Sequence, residues 1–492
     1  MNHALRRISL LVLALFLALL VNVNYVQAFQ TSSLANDPGN GRTFSQQFQY
    51  QRGSIVTADG KTIARSVPVK HGTFSYQRAY PYGKLYAPVT GFFPVNGTPT
   101  GIELAENKLL SGNDPALAVR NLVDMVTGKP KKGATVELTI NSAAQQAAYN
   151  ALKSIHLPAG VVAIDPSTGA ILAMASYPTY DPNQLATLNG NKFNRVDKQL
   201  LSDPAQPLIN RAINATFPPG STFKVVTAST AIGTGKYNSS TPVFAPTNLN
   251  LPDSNKQLIN FDNEPCDGGR PPMIYAFTVS CNTAFGALGM KVGGGKLRRQ
   301  AEKFGFNNQG LKIPLPVSAS SFPPVSDPAF TAYASIGQFN DTETPLQEAM
   351  VAAAIANHGT LMKPYLVQKV TAPDLTSLES TQPAVQSQAV SSQVAGEVTK
   401  MMTDVTQQSY GTAHASAGTA ASGGIVIAAK TGTAQNGINN TGLDDAVFTS
   451  FAPASNPKIA VGVIVKGGGL GADASAPVAV QIIRAYLNSQ RG

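Results

Sequence analysis

Three short sets of residues in this chain have the types and spacing for acyl transfer through a serine. Residues 217–224 read Phe-Pro-Pro-Gly-Ser-Thr-Phe-Lys, a loop that opens a helix, because two prolines and a glycine can start a helix but cannot continue one. Residues 222–233 then carry apolar side chains at helical spacing up to a closing glycine. Residues three apart share a helical face, so the Lys224 amine is expected within hydrogen-bonding reach of the Ser221 hydroxyl. A neutral Lys224 would take that proton and turn the alcohol into a nucleophile. Neutrality requires burial or a nearby positive charge, so a second lysine should lie close by.

Lys430, in Lys430-Thr431-Gly432-Thr433, is the expected second charge, which would also attract a carboxylate. Gly432 is expected to let a substrate backbone approach the strand, and the backbone N–H groups of Ser221 and Thr433 to form an oxyanion hole. In Ser280-Cys281-Asn282, Ser280 would relay the proton to a departing amine, and Asn282 would hydrogen-bond both Lys224 and a substrate amide. Each set alone has an ordinary reading: a capped helix with a solvated lysine, a pair of turn formers, a charge at a strand edge. Those readings do not account for all three in this order.

The elements that must position them form an α+β unit. Residues 160–174 read as two apolar strands around an Asp165-Pro166-Ser167-Thr168-Gly169 turn, and residues 425–433, 445–452 and 458–466 as further strands, the last alternating Ile459, Val461, Val463 and Val465. Helices are expected over 142–155, capped by Ser142, over 344–356, after Ser391 or Ser392, and over 477–488. The result is an antiparallel sheet flanked by helices from its first and last segments and from a central helical block. Upstream, residues 136–140 are a strand, and residues 51–132 are rich in turns and serve as a spacer or interaction module. Residues 373–388 and 415–424, rich in Ser, Ala, Gln and Gly, are expected to be mobile.

The charge of +10 on a chain with only 13% charged residues reflects scarce acids as much as abundant bases, and no Lys/Arg run is interleaved with aromatics, which argues against a nucleic-acid partner. Arg6 and Arg7 precede an apolar run over 8–21 that fades by Val26: an export segment with its N-terminus inside. An uncleaved single-pass anchor is the favoured reading, and Val26-Gln27-Ala28 offers a cleavage site as the alternative. Either places the bulk of the chain outside the cytoplasm. The domains expected are an anchor over 1–28, a small pedestal over 29–154 and a catalytic domain over 155–492. Five scattered histidines imply no metal centre, and no cofactor is expected. The two cysteines, Cys266 and Cys281, are expected to be bonded, since the flanks of Cys281 must face substrate and its own side chain should turn towards the 262–269 loop; the alternative is a pair of buried, reduced thiols that never approach.

Ser-x-x-Lys, Ser-x-Asn and Lys-Thr-Gly in this order resemble the signature of penicillin-binding proteins and serine β-lactamases. Arg52-Gly53-x-Ile55, Tyr80-Pro81-x-Gly83-x-Leu85, Gly101-Ile102-Glu103, Leu138-Thr139-Ile140, Ala163-Ile164-Asp165-Pro166-x-x-Gly169 and Lys430-Thr431-Gly432-Thr433-Ala434-Gln435 extend the resemblance to class B penicillin-binding proteins over nearly all of the chain after the anchor. The resemblance implies a membrane-bound D-alanyl-D-alanine transpeptidase that cross-links peptidoglycan stem peptides in wall synthesis, in growth or division, and is acylated by β-lactams. It also implies a membrane glycosyltransferase or division proteins as partners. No glycosyltransferase blocks lie between anchor and catalytic domain. Phe339 follows Gly337-Gln338 where the family has a glycine, which leaves the lining of that loop open. The rivals are a secreted β-lactamase, for which no water-activating Glu-x-x-x-Asn set is found between Asn282 and Lys430, a β-lactam sensor, which would need several membrane segments, and a non-catalytic scaffold.

Overall fold

The computed structural model describes residues 2–30, 46–263, 265–435 and 442–490. Helix α1 (Asn2–Tyr25) opens a 26-residue apolar span, Leu5–Gln30, that has no buried residue and is long enough to cross a bilayer.

The pedestal begins with β1 (Ile55–Val56), β2 (Thr62–Pro68) and β3 (Tyr76–Ala79), paired antiparallel in sequence. The turn between β1 and β2 uses Gly60 at φ 79°, a region that side chains rarely enter. Helix α2 (Ala118–Val126) and β4 (Thr135–Leu138) follow, with β4 parallel to β1. Three blocks that are distant in sequence meet here. Arg52 Nε and Arg78 Nε lie 2.6 and 2.5 Å from the two carboxylate oxygens of Glu103, and the Tyr80 hydroxyl donates to the same group at 3.1 Å. Burial alone would push Glu103 up, but the Arg78 and Arg52 guanidiniums outweigh it and hold the carboxyl below its usual range.

Helix α3 (Ser142–Ile155) is capped by Asn141, whose side chain accepts the Ala144 N–H; Ser142, the expected cap, donates its hydroxyl to Asp59 instead. It packs on the hairpin of β5 (Ala159–Ile164) and β6 (Ile171–Tyr177). A 3₁₀ turn, Gly220–Phe223, leads into α4 (Lys224–Gly233). Beyond it come the hairpin of β7 (Asn248–Asn250) and β8 (Gln257–Ile259), then α5 (Met273–Thr278) and α6 (Asn282–Val292), which flank Ser280. Helix α7 (Pro345–Ala356), capped by Thr344, is buried at every residue.

The 373–388 segment is ordered, contrary to its composition. After β9 (Thr360–Met362), β10 (Val367–Thr371) pairs with β4, and β11 (Ser377–Ser380) folds back on β10 through a turn in which Thr376 donates to Asp374. The pedestal sheet is thus six-stranded, in the order β11-β10-β4-β1-β2-β3, and borrows two strands from the second domain. Next, β12 (Val385–Gln388) pairs with β9, and α8 (Ser392–Gln407) is capped by Ser391. The 415–424 segment is ordered as well. Residues 414–417 and 419–422 are two short helices, fixed by burial of Ala417 and Ser422 against the C-terminal helix.

Strands β13 (Ala428–Ala434), β14 (Asp445–Ala452) and β15 (Ile459–Val465) complete a five-stranded antiparallel sheet in the order β13-β14-β15-β5-β6. Helix α9 (Ala476–Ser489) joins α3 on one face, and α7 covers the other. Every residue of β14 and β15 is buried, not only the alternating Ile and Val, because both faces are covered. Gly462 is where α7 comes closest: a Cβ there would meet Ala349 N at 2.4 Å and Pro345 O at 2.5 Å. Gly462→Ala must therefore push α7 off the sheet, and is expected to destabilise the domain by about 2–3 kcal/mol, read as a melting temperature lower by several degrees.

Candidate active site

Phe217 and Glu343 exchange backbone hydrogen bonds of 2.9 and 2.8 Å, and Gly220 N–H donates to Gly337 O at 3.0 Å. These contacts hold the Ser221 turn against the 337–343 loop. Glycine is required at both ends: Gly220 has φ 57° and Gly337 φ 72°, and a Cβ on Gly337 would lie 2.2 Å from Gly220 O. The Cβ position of Gly220 is 2.9 Å from Thr433 O, so the serine turn abuts β13 at Thr433.

Ser280 sits in the three-residue link between α5 and α6 at φ 61°, a left-handed conformation that costs a non-glycine residue about 1–2 kcal/mol. That bend aims its hydroxyl at two lysines. Lys224 Nζ donates to Ser280 O at 2.6 Å, to Ser280 Oγ at 3.2 Å and to Asn282 Oδ1 at 2.7 Å, while Lys430 Nζ donates to Ser280 Oγ at 2.9 Å and to Thr431 O at 2.9 Å. The Lys224 amine therefore points at the Ser280 segment, and none of these three contacts goes to Ser221, which lies one 3₁₀ turn away. Asn282 donates to Ile259 O at 3.2 Å with its amide, which ties the motif to β8. Cys281 is bonded to Cys266 across a Cα–Cα distance of 6.3 Å, fastening the 262–269 segment to the same link.

Both lysines are fully buried. Burial, and after it the Lys430 charge, hold Lys224 well below the usual lysine range. Burial, partly offset by the Glu348 charge, brings Lys430 down to about 7. Glu348 is a residue that motif reading missed. It lies on α7, accepts the Thr222 hydroxyl from behind the serine turn, and faces Glu343, which burial and then Glu348 itself push well above the carboxylate range. Glu343 is thus the protonated partner of the pair. The signal for Glu348 in the sequence is that it is the one charged residue in an apolar helix.

The cleft in front of these groups has a volume of about 850 Å³ and is lined by Ser221, Ser280, Asn282, Thr431 and Thr433, with Tyr275, Tyr333, Gln338, Thr412 and Gln435 around them. Asp444 is the one carboxylate among the described lining residues. Lys224 and Lys430 stand behind this wall, so a carboxylate in the cleft would meet Thr431 and Thr433 directly and Lys430 only through its field. Gly432 also faces inward: a Cβ there would lie 2.9 Å from Pro219 O and 3.0 Å from Val447 Cβ. The absence of a side chain there lets the serine turn seat on β13. Phe339 stacks on Phe330, with ring centroids 4.7 Å apart, and leaves the lining to Gln338.

The chain matches the penicillin-binding protein transpeptidase domain over residues 159–486 and the penicillin-binding protein A dimerisation domain over 52–136. It belongs to the penicillin-binding protein transpeptidase family. Peptidoglycan D,D-transpeptidase PbpA of Mycolicibacterium smegmatis is 41% identical over 500 residues, covering 99% of each chain, and the Mycobacterium tuberculosis protein of that name is 40% identical over all of both chains. The imipenem acyl-enzyme of penicillin-binding protein A from M. tuberculosis, 39% identical, superposes with a TM-score of 0.83 over 90% of this chain and all of that one. Its penicillin G acyl-enzyme gives the same score over 89% of this chain.

The Glu348 charge should govern the alkaline side of any acylation at Ser221. A lysine raised by a neighbouring anion loses its charge at lower pH when that anion is removed. The rate of acylation by penicillin is expected to fall as pH rises through about 7, where Lys430 deprotonates. In Glu348→Gln the same fall should begin at lower pH, with the protein still folded, and rates measured across pH 5–9 check it.

Proposed function

We propose that this chain is a peptidoglycan D,D-transpeptidase working through an acyl-enzyme on Ser221. The observation that carries the reading is the pair of buried lysines converging on one serine hydroxyl beside the Ser221 turn. Ser221 Oγ attacks the carbonyl carbon of the penultimate D-alanine of a stem peptide, and its proton passes to neutral Lys224. The C–N bond breaks as the proton moves through Ser280 to the amine of the departing D-alanine. An amine from a second stem peptide then takes the acyl group, re-forming the serine hydroxyl and leaving the cross-link. The backbone N–H groups of Ser221 and Thr433 hold the oxyanion, Asn282 orients the peptide amide, and Thr431 and Thr433 meet the terminal carboxylate. In a β-lactam the leaving nitrogen stays tethered to the acyl group, which obstructs the second step.

We further read the apolar span Leu5–Gln30 as a single-pass anchor with both folded units outside the cytoplasm, and the pedestal as the part that meets a membrane glycosyltransferase or division proteins. The anchor ahead of the pedestal supports this arrangement.

A fluorescent penicillin is expected to label the protein, Ser221→Ala to abolish labelling while the fold persists, and Lys224→Ala to slow acylation about 10²- to 10⁴-fold. The adduct should be long-lived. Labelling retained in folded Ser221→Ala protein would sink the assignment, and rapid turnover of a chromogenic cephalosporin would make the protein a β-lactamase.

A further inference from the structure

Helix α2 is inside out. It has nine residues and buries none of them. Val119, Leu122, Val123 and Val126, at helical spacings of three and four, are 78, 57, 54 and 79% exposed, and Met125 beside them is 69% exposed. Its polar residues face the pedestal: Asn121 donates to Gly112 O at 2.8 Å, and Arg120 pairs with Asp124 and with Asp374 of the β10–β11 turn. A surface helix ordinarily turns its apolar stripe inward. This one holds the stripe out with polar contacts, so the stripe is made to meet something apolar.

The surrounding charge says what. Residues 118–132 contain Arg120, Lys129, Lys131 and Lys132 against the single acid Asp124, and Lys129 and Lys132 are exposed. A short amphipathic helix with a basic flank is the composition that lies in the interface of an anionic bilayer. The position agrees. Lys132 bridges to Gln51, and Gly133 N–H donates to Gln51 O at 3.0 Å, so the lysine tail lies beside the first residues of the pedestal. A second copy of this chain fits less well. A helix of this length is about 14 Å long and 10 Å across, far short of the ~800 Å² per partner that a stable dimer buries, and a two-fold contact would set lysines against lysines.

We propose that α2 and its lysine flank form a second membrane contact, with the apolar stripe seated in an anionic lipid surface; this rests on the reading of Leu5–Gln30 as an anchor. Two points of attachment hold the pedestal in one orientation, where a single tether would let the catalytic cleft swing freely.

The test uses full-length protein in vesicles of phosphatidylglycerol and phosphatidylethanolamine. Cys266 and Cys281 are bonded, so Val123→Cys can be labelled alone with an environment-sensitive dye, and Asn456→Cys in the β14–β15 turn serves as the control. Penicillin labelling reports the fold of each variant. The expected result is a blue-shifted Val123 signal that nitroxide-bearing lipid quenches at least twofold, an unaffected Asn456 signal, and a loss of quenching in Lys129→Gln/Lys132→Gln protein or when phosphatidylcholine replaces the anionic lipid. Protein that floats with the vesicles but keeps the Val123 dye in water overturns the surface contact and leaves the anchor standing. Burial of the dye that persists in detergent and grows with protein concentration overturns it in favour of a second copy. Protein that fails to float overturns the anchor, and the surface contact with it.

Discussion

Two ammonium groups, both out of contact with water, share one hydroxyl. Lys224 and Lys430 reach Ser280 Oγ at 3.2 and 2.9 Å, and neither has exposed surface. Two like charges so close and so dry cannot both persist cheaply, since burial already disfavours each and the other adds to it. Glu348, behind Lys430, decides which of the two keeps its proton. The asymmetry favours the neutral form of Lys224, which suits it to the role of base proposed for it. Much of the local structure maintains this seat: the left-handed backbone of Ser280, the disulfide that fastens its link, and the contacts of Gly220, Gly337 and Gly432 that press the serine turn onto β13.

That seat requires a rigid frame. Strands β14 and β15 are buried on both faces, and α7 lies so close to the sheet that Gly462 leaves no room for a methyl group. The same helix carries Glu348 and, through the segment before it, Glu343, which pairs with Phe217. Helix, sheet and nucleophile turn are therefore fixed by shared residues. The pedestal is joined as firmly, because β10 and β11 leave the second domain to extend its sheet. A load on the pedestal is transmitted to the catalytic unit through paired strands and not through a hinge.

The three motifs and most sheet and helix segments are legible in the sequence because they depend on local rules: proline and glycine at the mouth of α4, period-two alternation in β15, Thr344 and Ser391 as caps. What escapes such rules depends on long-range packing. Composition marks 373–388 as loose, but a strand at a sheet edge needs only backbone pairing and a turn at Asp374. Gly432 lies against the serine turn, a contact that alternation along a strand does not reveal. The Lys430 amine is buried behind the cleft wall and not on its surface, because the strand turns that side chain towards Ser280. The Thr222–Glu348 contact joins residues 126 apart in sequence, and only the lone acid in an apolar helix hints at it.

The central claim is that Lys224 is neutral at the pH where the protein works. Side-chain Nζ resonances of lysine-labelled protein, assigned by comparison with Lys224→Ala and Lys430→Met, measure this directly. Lys224 is expected to titrate well below 10.5, with its titration moving upward in Lys430→Met, where the neighbouring charge is gone. An unperturbed titration near 10.5 in the folded wild-type protein would contradict the account.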